Sequence, residues 1–346
     1  MISFLEVEVT SLPSEPDIYV LLLHDADSSW SEQEKEEVSN AHERLCDSLI
    51  SCGFQVDFFP VTDTGFREGL SSYDPRKWIV FNWCEGIPGL RHAEWIVARS
   101  LEEMGFVFTG SKASTIKLSY DKRRVKSLLE HEGVPSPKWR LYSAAEANGW
   151  SGFPAIVKPA FGHCSEWLSS DSVVMNQSQL SERISYLVEE VGVPALVEDF
   201  IDGLEFHVSL WGNGNVEMLP PAEFDFSSFS DIHDRLCTYE AKFIPGSPHY
   251  EGIRTTIPSR LTASQLQELE ARCRSAYRAV GCRDYARMDV RLRDGVFYVL
   301  DVNPNPDISE DASMACAAEY AGYSYPQMAK KIVHLACKRN PWERAY

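Results

Sequence analysis

Positive charge is scarce in this 346-residue chain: 33 Lys and Arg stand against 51 Asp and Glu, a formal net charge of −18. That balance argues against a nucleic-acid partner, whose phosphates need clustered Lys and Arg. It leaves room for a small nucleotide, which a few local cations and a divalent metal can neutralise. Long apolar runs are also missing. The longest near the start, residues 18–23, is too short to cross a bilayer. The opening MISFLEVEVT carries Glu6 and Glu8 where a secretory signal would carry basic residues. A cytoplasmic protein without a membrane partner is expected. The 9 cysteines are odd in number and spread from Cys46 to Cys337 without CxxC spacing, which excludes a disulfide framework or a zinc-finger pattern. Internal repeats, low-complexity tracts, a Walker A run and a GxSxG elbow are absent too. What is present is a hydrophobic content of 44%, enough for two or three compact domains.

The first third alternates strand-like and helix-like segments. Strands are expected at 18–23, 54–59 and 78–82, with helices over 31–52 and around Glu94 to Leu101, the latter ending near Gly105. That alternation predicts an open, mainly parallel sheet. Further on, helices are expected over 121–132 and 180–191, and strands at 155–159, 195–200, 205–211 and 216–219. Residues 226–258 lack periodicity and suggest a lid loop. Thr262 and Gln265 cap a helix closed by Gly281. Strands 286–292 and 296–303 follow, joined by Asp294-Gly295, a hairpin turn signal.

That hairpin holds the densest chemistry. Side chains alternate along a strand, so Arg287 and Asp289 share one face, and Asp301 and Asn303 share a face of the partner. If the faces coincide, the ribbon presents one cation and three oxygen donors, a set that suits a hard divalent ion; a surface ion pair is the plainer reading. Lys158 ends the apolar strand in FPAIVKPA, where burial of an ammonium is costly without an anion; a stem packed under a solvated ammonium is the alternative. Residues 198–205, EDFIDGLE, form a strand, a bend and a second strand. Their backbone could read an adenine edge and a carboxylate could hold ribose, or the segment could be an ordinary connector.

Taken in order, these segments resemble the ATP-grasp superfamily, in its D-alanine–D-alanine ligase-like branch, from TGSKAS at 109–114 to about Tyr325. The resemblance implies an α/β chain, α+β in its C-terminal part, with an N-terminal open parallel sheet and two α+β subdomains clasping ATP. The implied divisions are 1–117, 118–202 and 203–346. SYDKRRVKSLLEHEGVPSP resembles the helix that brings a nucleotide-binding lysine, here Lys122. FPAIVKPAFGHCS resembles the strand and phosphate loop, with Lys158 on the α and β phosphates and Ser165 beside them. LVEDFIDGLEFHV resembles the hinge that grips adenine through Glu198, Asp199, Phe200 and Ile201, and ribose through Glu205. TYEAKF resembles the segment whose lysine, here Lys242, reaches the γ-phosphate with a catalytic role. ARMDV and VLDVNPNPDIS resemble the metal hairpin, with Mg²⁺ or Mn²⁺ on Asp289, Asp301 and Asn303 and with Arg287 catalytic.

The implied reaction is ATP-dependent joining of a carboxylate to an amine, amino acids by preference, through an acyl phosphate. A homodimer is implied as well. Departures gather on the substrate side. Trp167 stands where the family's phosphate loop usually has glycine, and Asp301 replaces a customary glutamate. Asp307 replaces an oxyanion-hole glycine, with Ser309 and EDASMA beyond it. Glu85 in FNWCEG resembles a substrate-side carboxylate with a catalytic role. These differences favour substrates other than two D-alanines. A D-alanine–D-alanine ligase with unusual loops and an ATP-binding regulatory protein without turnover are the alternatives.

Overall fold

The computed structural model describes residues 18–163, 167–237 and 246–341. The first unit runs β1 (Tyr19–Asp25), α1 (Glu32–Ser51), β2 (Gln55–Val61), α2 (Phe66–Leu70), β3 (Trp78–Trp83), α3 (Glu94–Met104), β4 (Val107–Phe108) and α4 (Ala113–Ser119). Its strands are parallel, in the order β2-β1-β3-β4. β1 is apolar throughout its middle because both faces are covered: Val20 and Leu22 enter one core, Leu21 and Leu23 the other. α1 starts at a reciprocal cap, in which Ser31 N–H donates to Glu34 at 2.7 Å and Glu34 N–H donates back to Ser31 Oγ at 3.2 Å. α3 stops at Gly105, whose φ of 81° is left-handed.

The second unit comprises α5 (Lys122–His131), β5 (Trp139–Tyr142), β6 (Ala155–Pro159), β7 (Val173–Val174), α6 (Gln177–Ser185) and β8 (Ala195–Asp199). Its antiparallel sheet has the order β5-β8-β6-β7. The single helix expected over 180–191 is corrected: α6 gives way to a π-helical segment, Tyr186–Val191. The wider turn brings Val188 and Val191 against the core that holds Leu180, Ile184 and Leu187.

The third unit runs β9 (Leu204–Trp211), β10 (Glu217–Met218), β11 (Ala222–Asp225), α7 (Pro248–Gly252), β12 (Arg254–Thr256), α8 (Ala263–Val280), β13 (Tyr285–Arg293), β14 (Val296–Asn303), α9 (Ser313–Tyr320) and α10 (Tyr325–Cys337). Its sheet is ordered β12-β11-β9-β13-β14, with β10 also beside β9. Thr262 and Gln265 cap α8 as expected, and Asp294 and Gly295 turn the hairpin with φ of 52° and 78°. The stretch 226–258 is less irregular than expected, since its end forms α7 and β12, and β12 pairs with β11. The last helices return to the first sheet: Met314, Ala318, Met328, Ile332 and Val333 share a core with Val20, Leu22, Leu45 and Phe81. Among the described residues, no helix is long and apolar enough to cross a membrane.

Candidate active site

Between the β6–β8 sheet and the β13–β14 hairpin lies a cleft of about 900 Å³, open mouth included. Lys122, Lys158, Glu198, Glu205, Asp289 and Asp301 are among its walls. The hairpin register sets Arg287 opposite Asn303 and Asp289 opposite Asp301, so the two chemically loaded faces do coincide. The register shifts between Asp289 and Val290, just behind the donor set. Arg287 grips Asp289 through two hydrogen bonds, Nε–Oδ1 at 2.7 Å and Nη2–Oδ2 at 3.2 Å. Burial works against the guanidinium charge, but Asp289 more than offsets it and holds the Arg287 pKa above its ordinary value.

Lysines meet this hairpin from two elements. Lys158, on β6, stands 3.0 Å from Glu198 Oε1 on β8. Its burial favours the neutral amine, yet Glu198 and Asp301 together raise its pKa, so it stays charged. Lys122 begins α5, and that helix start is tied to the loop after β6. Lys122 N–H donates to Ala160 O at 3.1 Å and Gly162 N–H donates to Tyr120 O at 3.1 Å. The Lys122 ammonium donates to Gly162 O. Asp301 would be pushed up by burial, but Lys122, His163 and Lys158 hold its carboxyl below the ordinary range. Two carboxylates and an amide oxygen on one ribbon face, with lysines beside them, form a donor set that fits a hard divalent ion shared with phosphate.

The hinge differs from expectation. The Glu198 side chain points inward to Lys158 and to Lys126, at 3.0 and 3.1 Å, and is 1% exposed. The hinge backbone is partly spent: Asp199 N–H donates to Lys138 O at 2.9 Å and Phe200 N–H to Pro154 O at 3.1 Å. The Phe200 and Ile201 carbonyls accept from Arg293 and Arg291, each at 3.0 Å. Two arginines and the Lys138 and Pro154 carbonyls thus engage part of the backbone that the resemblance gives to adenine. Glu205 lines the cleft but is buried, and Arg291 Nε donates to its Oε2 at 2.8 Å. Burial would raise its pKa; Arg291 and His207 outweigh that and lower it to about 2.

Near the first unit the charge balance inverts. Asp25 and Glu85 stand at the C-terminal ends of β1 and β3, where open α/β sheets bind ligands. Glu85 N–H donates to Asp25 Oδ1 at 3.3 Å. Water reaches the Glu85 side chain, yet the surrounding protein, Asp25 and Asp307 raise its pKa to about 7. Burial likewise raises Asp25. The Ser309 hydroxyl and N–H both donate to Asp307, the latter at 2.9 Å, which leaves the hydroxyl oxygen free only to accept. Trp167 keeps the left-handed backbone that a glycine would adopt, with φ of 59°. Ser165 and Lys242 lie outside the described residues.

Several site residues escaped the sequence reading. Lys126, 1% exposed, is one turn after Lys122 on α5. Arg291 follows Asp289 by two, on the same strand face, and that period was the available signal. Glu94 starts α3 and accepts from Asn305 Nδ2 at 2.7 Å and Tyr120 Oη at 3.1 Å. Burial overcomes these two bonds and raises Glu94 to about 8. Asn305 in turn donates its N–H to Asn303 Oδ1 at 3.1 Å, so the acid-rich side is wired to the ribbon's donor set.

Comparison with known proteins agrees with this geometry. Residues 128–334 match the family described as D-ala D-ala ligase C-terminus. An uncharacterized protein, y4sG, of Sinorhizobium fredii is 35% identical over 86% of this chain and 88% of its own length. The D-alanine–D-alanine ligase of Desulforudis audaxviator is 32% identical over 69% of this chain and 76% of its own. In fold, the chain superposes on a Bacillus anthracis D-alanine–D-alanine ligase solved with ATP at a TM-score of 0.72 and 18% identity, covering 94% of this chain and 99% of that one. The chain therefore belongs to the D-alanine–D-alanine ligase family, ATP-grasp enzymes that form carbon–nitrogen bonds.

Proposed function

We propose that the protein joins a carboxylate to an amine at the expense of ATP, through an acyl phosphate, with amino acids or peptides as substrates. The observation that carries this reading is the ribbon register, Arg287 opposite Asn303 and Asp289 opposite Asp301, facing Lys158 across the cleft. In this reading the division into 1–117, 118–202 and 203–346 gives each sheet its own segment. The nucleotide lies between the β6–β8 sheet and the ribbon, its base at the part of the hinge still open and its ribose against Glu205. Lys122 and Lys158 hold phosphate oxygens, and Asp289, Asp301 and Asn303 would hold Mg²⁺. That ion would offset charge on the β and γ phosphates.

The substrate carboxylate attacks the γ-phosphorus and ADP leaves. Arg287, already fixed in orientation by Asp289, stabilises the charge that develops on the transferring group. The amine then attacks the acyl carbon, the C–N bond forms and phosphate departs. Glu85, with a pKa of about 7, suits a base that takes the proton from the incoming ammonium near neutral pH. Two D-alanines as substrates draw support from the names of the relatives. The carboxylates Asp25, Glu85 and Asp307 favour an amine-bearing substrate with little negative charge of its own, since a second carboxylate there would be repelled.

The test is incubation with ATP, Mg²⁺ and a panel of amino acids and amines, with ADP release and product mass recorded together. Amine-dependent ADP formation with a condensed product is expected. A D-alanyl-D-alanine mass would select the second substrate reading, and tight ATP binding without any condensed product would overturn ligase activity.

A further inference from the structure

At the nucleotide cleft, one group of donors joins the ribose-side Glu205 to His207 and Cys237, which have no part in the reaction above. Glu205 Oε, His207 and Cys237 Sγ offer atoms that all lie within 4.8 Å of one another. Glu205 and His207 alternate along β9 and so share a face. Cys237 arrives from the opposite wall, beyond the Ile232–Asp234 turn. His207 is 5% exposed, and its Nε2 has no hydrogen-bond partner among the described residues. Its neighbours are Glu205 Oε1 at 3.6 Å and Asp289 Oδ1 at 3.8 Å, both acceptors just beyond hydrogen-bond reach. A buried imidazole nitrogen without a partner carries a desolvation cost that a metal bond would relieve. The opposite oxygen of Glu205 is held by Arg291 at 2.8 Å, which fixes the carboxylate with Oε1 turned toward His207.

The donor types suit a small thiophilic ion, toward which Cys237 Sγ closes from within 4.8 Å of the other two atoms. Bonds of about 2.0–2.3 Å in a tetrahedral site put neighbouring donors roughly 3.5 Å apart. The observed 3.6 Å between His207 Nε2 and Glu205 Oε1 meets that without movement. A nitrogen, an oxygen and a sulfur on three residues, with a fourth position open, are unlike the all-oxygen set on the ribbon. A hard ion prefers the ribbon and a soft one prefers this group. The Arg287 charge close by is offset by its bidentate Asp289.

We infer that Glu205, His207 and Cys237 form a site for one thiophilic divalent cation such as Zn²⁺, filled when ribose does not occupy Glu205. On binding, the Cys237 thiol loses its proton to solvent and the thiolate takes the metal. The second half of the inference rests on the proposed role of Glu205 in nucleotide binding; the first half does not. Loading such a site shuts the cleft to nucleotide, so the enzyme would be restrained by soft metal and released by its removal.

The experiment uses the full chain, stripped of metal and titrated with Co²⁺ without nucleotide. Wild type is expected to show a near-ultraviolet thiolate-to-cobalt band saturating at one ion per chain. Cys237→Ser should abolish that band, and His207→Asn should weaken Co²⁺ binding at least tenfold. Circular dichroism of each variant checks folding. No band in wild type, or a band that survives in Cys237→Ser, would overturn the site. Adenosine, which lacks phosphates and strips no metal, should then lower the band as it binds. Adenosine affinity for metal-free protein is measured separately, so a failure of nucleotide binding is distinguished from a failure of competition. Adenosine that binds metal-free protein yet leaves the cobalt band intact would overturn mutual exclusion.

Discussion

The two halves of the cleft manage negative charge in opposite ways. On the nucleotide half each buried acid faces a cation: Glu198 faces Lys126 and Lys158, Glu205 faces Arg291, and Asp289 faces Arg287. On the substrate half Asp25, Glu85 and Glu94 have no such cation among the described residues, and their carboxyls are held above the ordinary range. The first arrangement is balanced before any ligand arrives. The second is short of positive charge, and a cationic substrate would supply it. Neutralising one acid should therefore have opposite signs in the two halves.

A large loss is expected at Glu198. Replacing it by Ala leaves Lys126 buried with its ion-pair partner gone. A loss of roughly 3–5 kcal/mol is expected, the size usual for breaking a buried pair from one side. Urea unfolding at neutral pH measures it; a loss under about 1 kcal/mol would mean that the pair carries little. Glu94 should show the reverse sign. Its folded pKa of about 8 lies above the ordinary 4.5, so folding favours the protonated form. That contribution is full below about 4.5 and is lost as pH rises through about 8. Glu94→Gln imitates the protonated acid, with the Tyr120 hydroxyl able to accept instead of donate. The variant should match wild type near the acid end and exceed it above pH 8 by up to about 5 kcal/mol, the size to which a rise from 4.5 to about 8 converts. Unfolding curves that stay parallel across the range would remove the difference between the halves.

Sequence reading went furthest where chemistry repeats at fixed spacing. The period of two gave Arg287 and Asp289 one face of β13 and Asp301 and Asn303 one face of β14, and the register supplies what the period left open by bringing the two faces together. The parallel first sheet was legible because its central strands, β1 and β3, are covered on both faces and so run apolar. Other elements left too little trace. β7 spans Val173–Val174 and β12 spans Arg254–Thr256, lengths at which alternation has no meaning. The occupied hinge carbonyls depend on Arg291 and Arg293 arriving from another strand, 90 and 93 positions away, which no local pattern encodes. Lys126 was hidden for a simpler reason. A lysine on an amphipathic helix reads as solvated, and only its contact with Glu198 shows why it is buried.

The most direct test of the account is a crystal structure with Mg²⁺ and a non-hydrolysable ATP analogue. The triphosphate should lie between β6 and the β13–β14 ribbon, with metal on Asp289, Asp301 and Asn303, Lys158 on phosphate oxygens and ribose hydroxyls on Glu205. A nucleotide bound elsewhere, or in this cleft with its terminal phosphate directed away from Arg287 and Asp301, would contradict it.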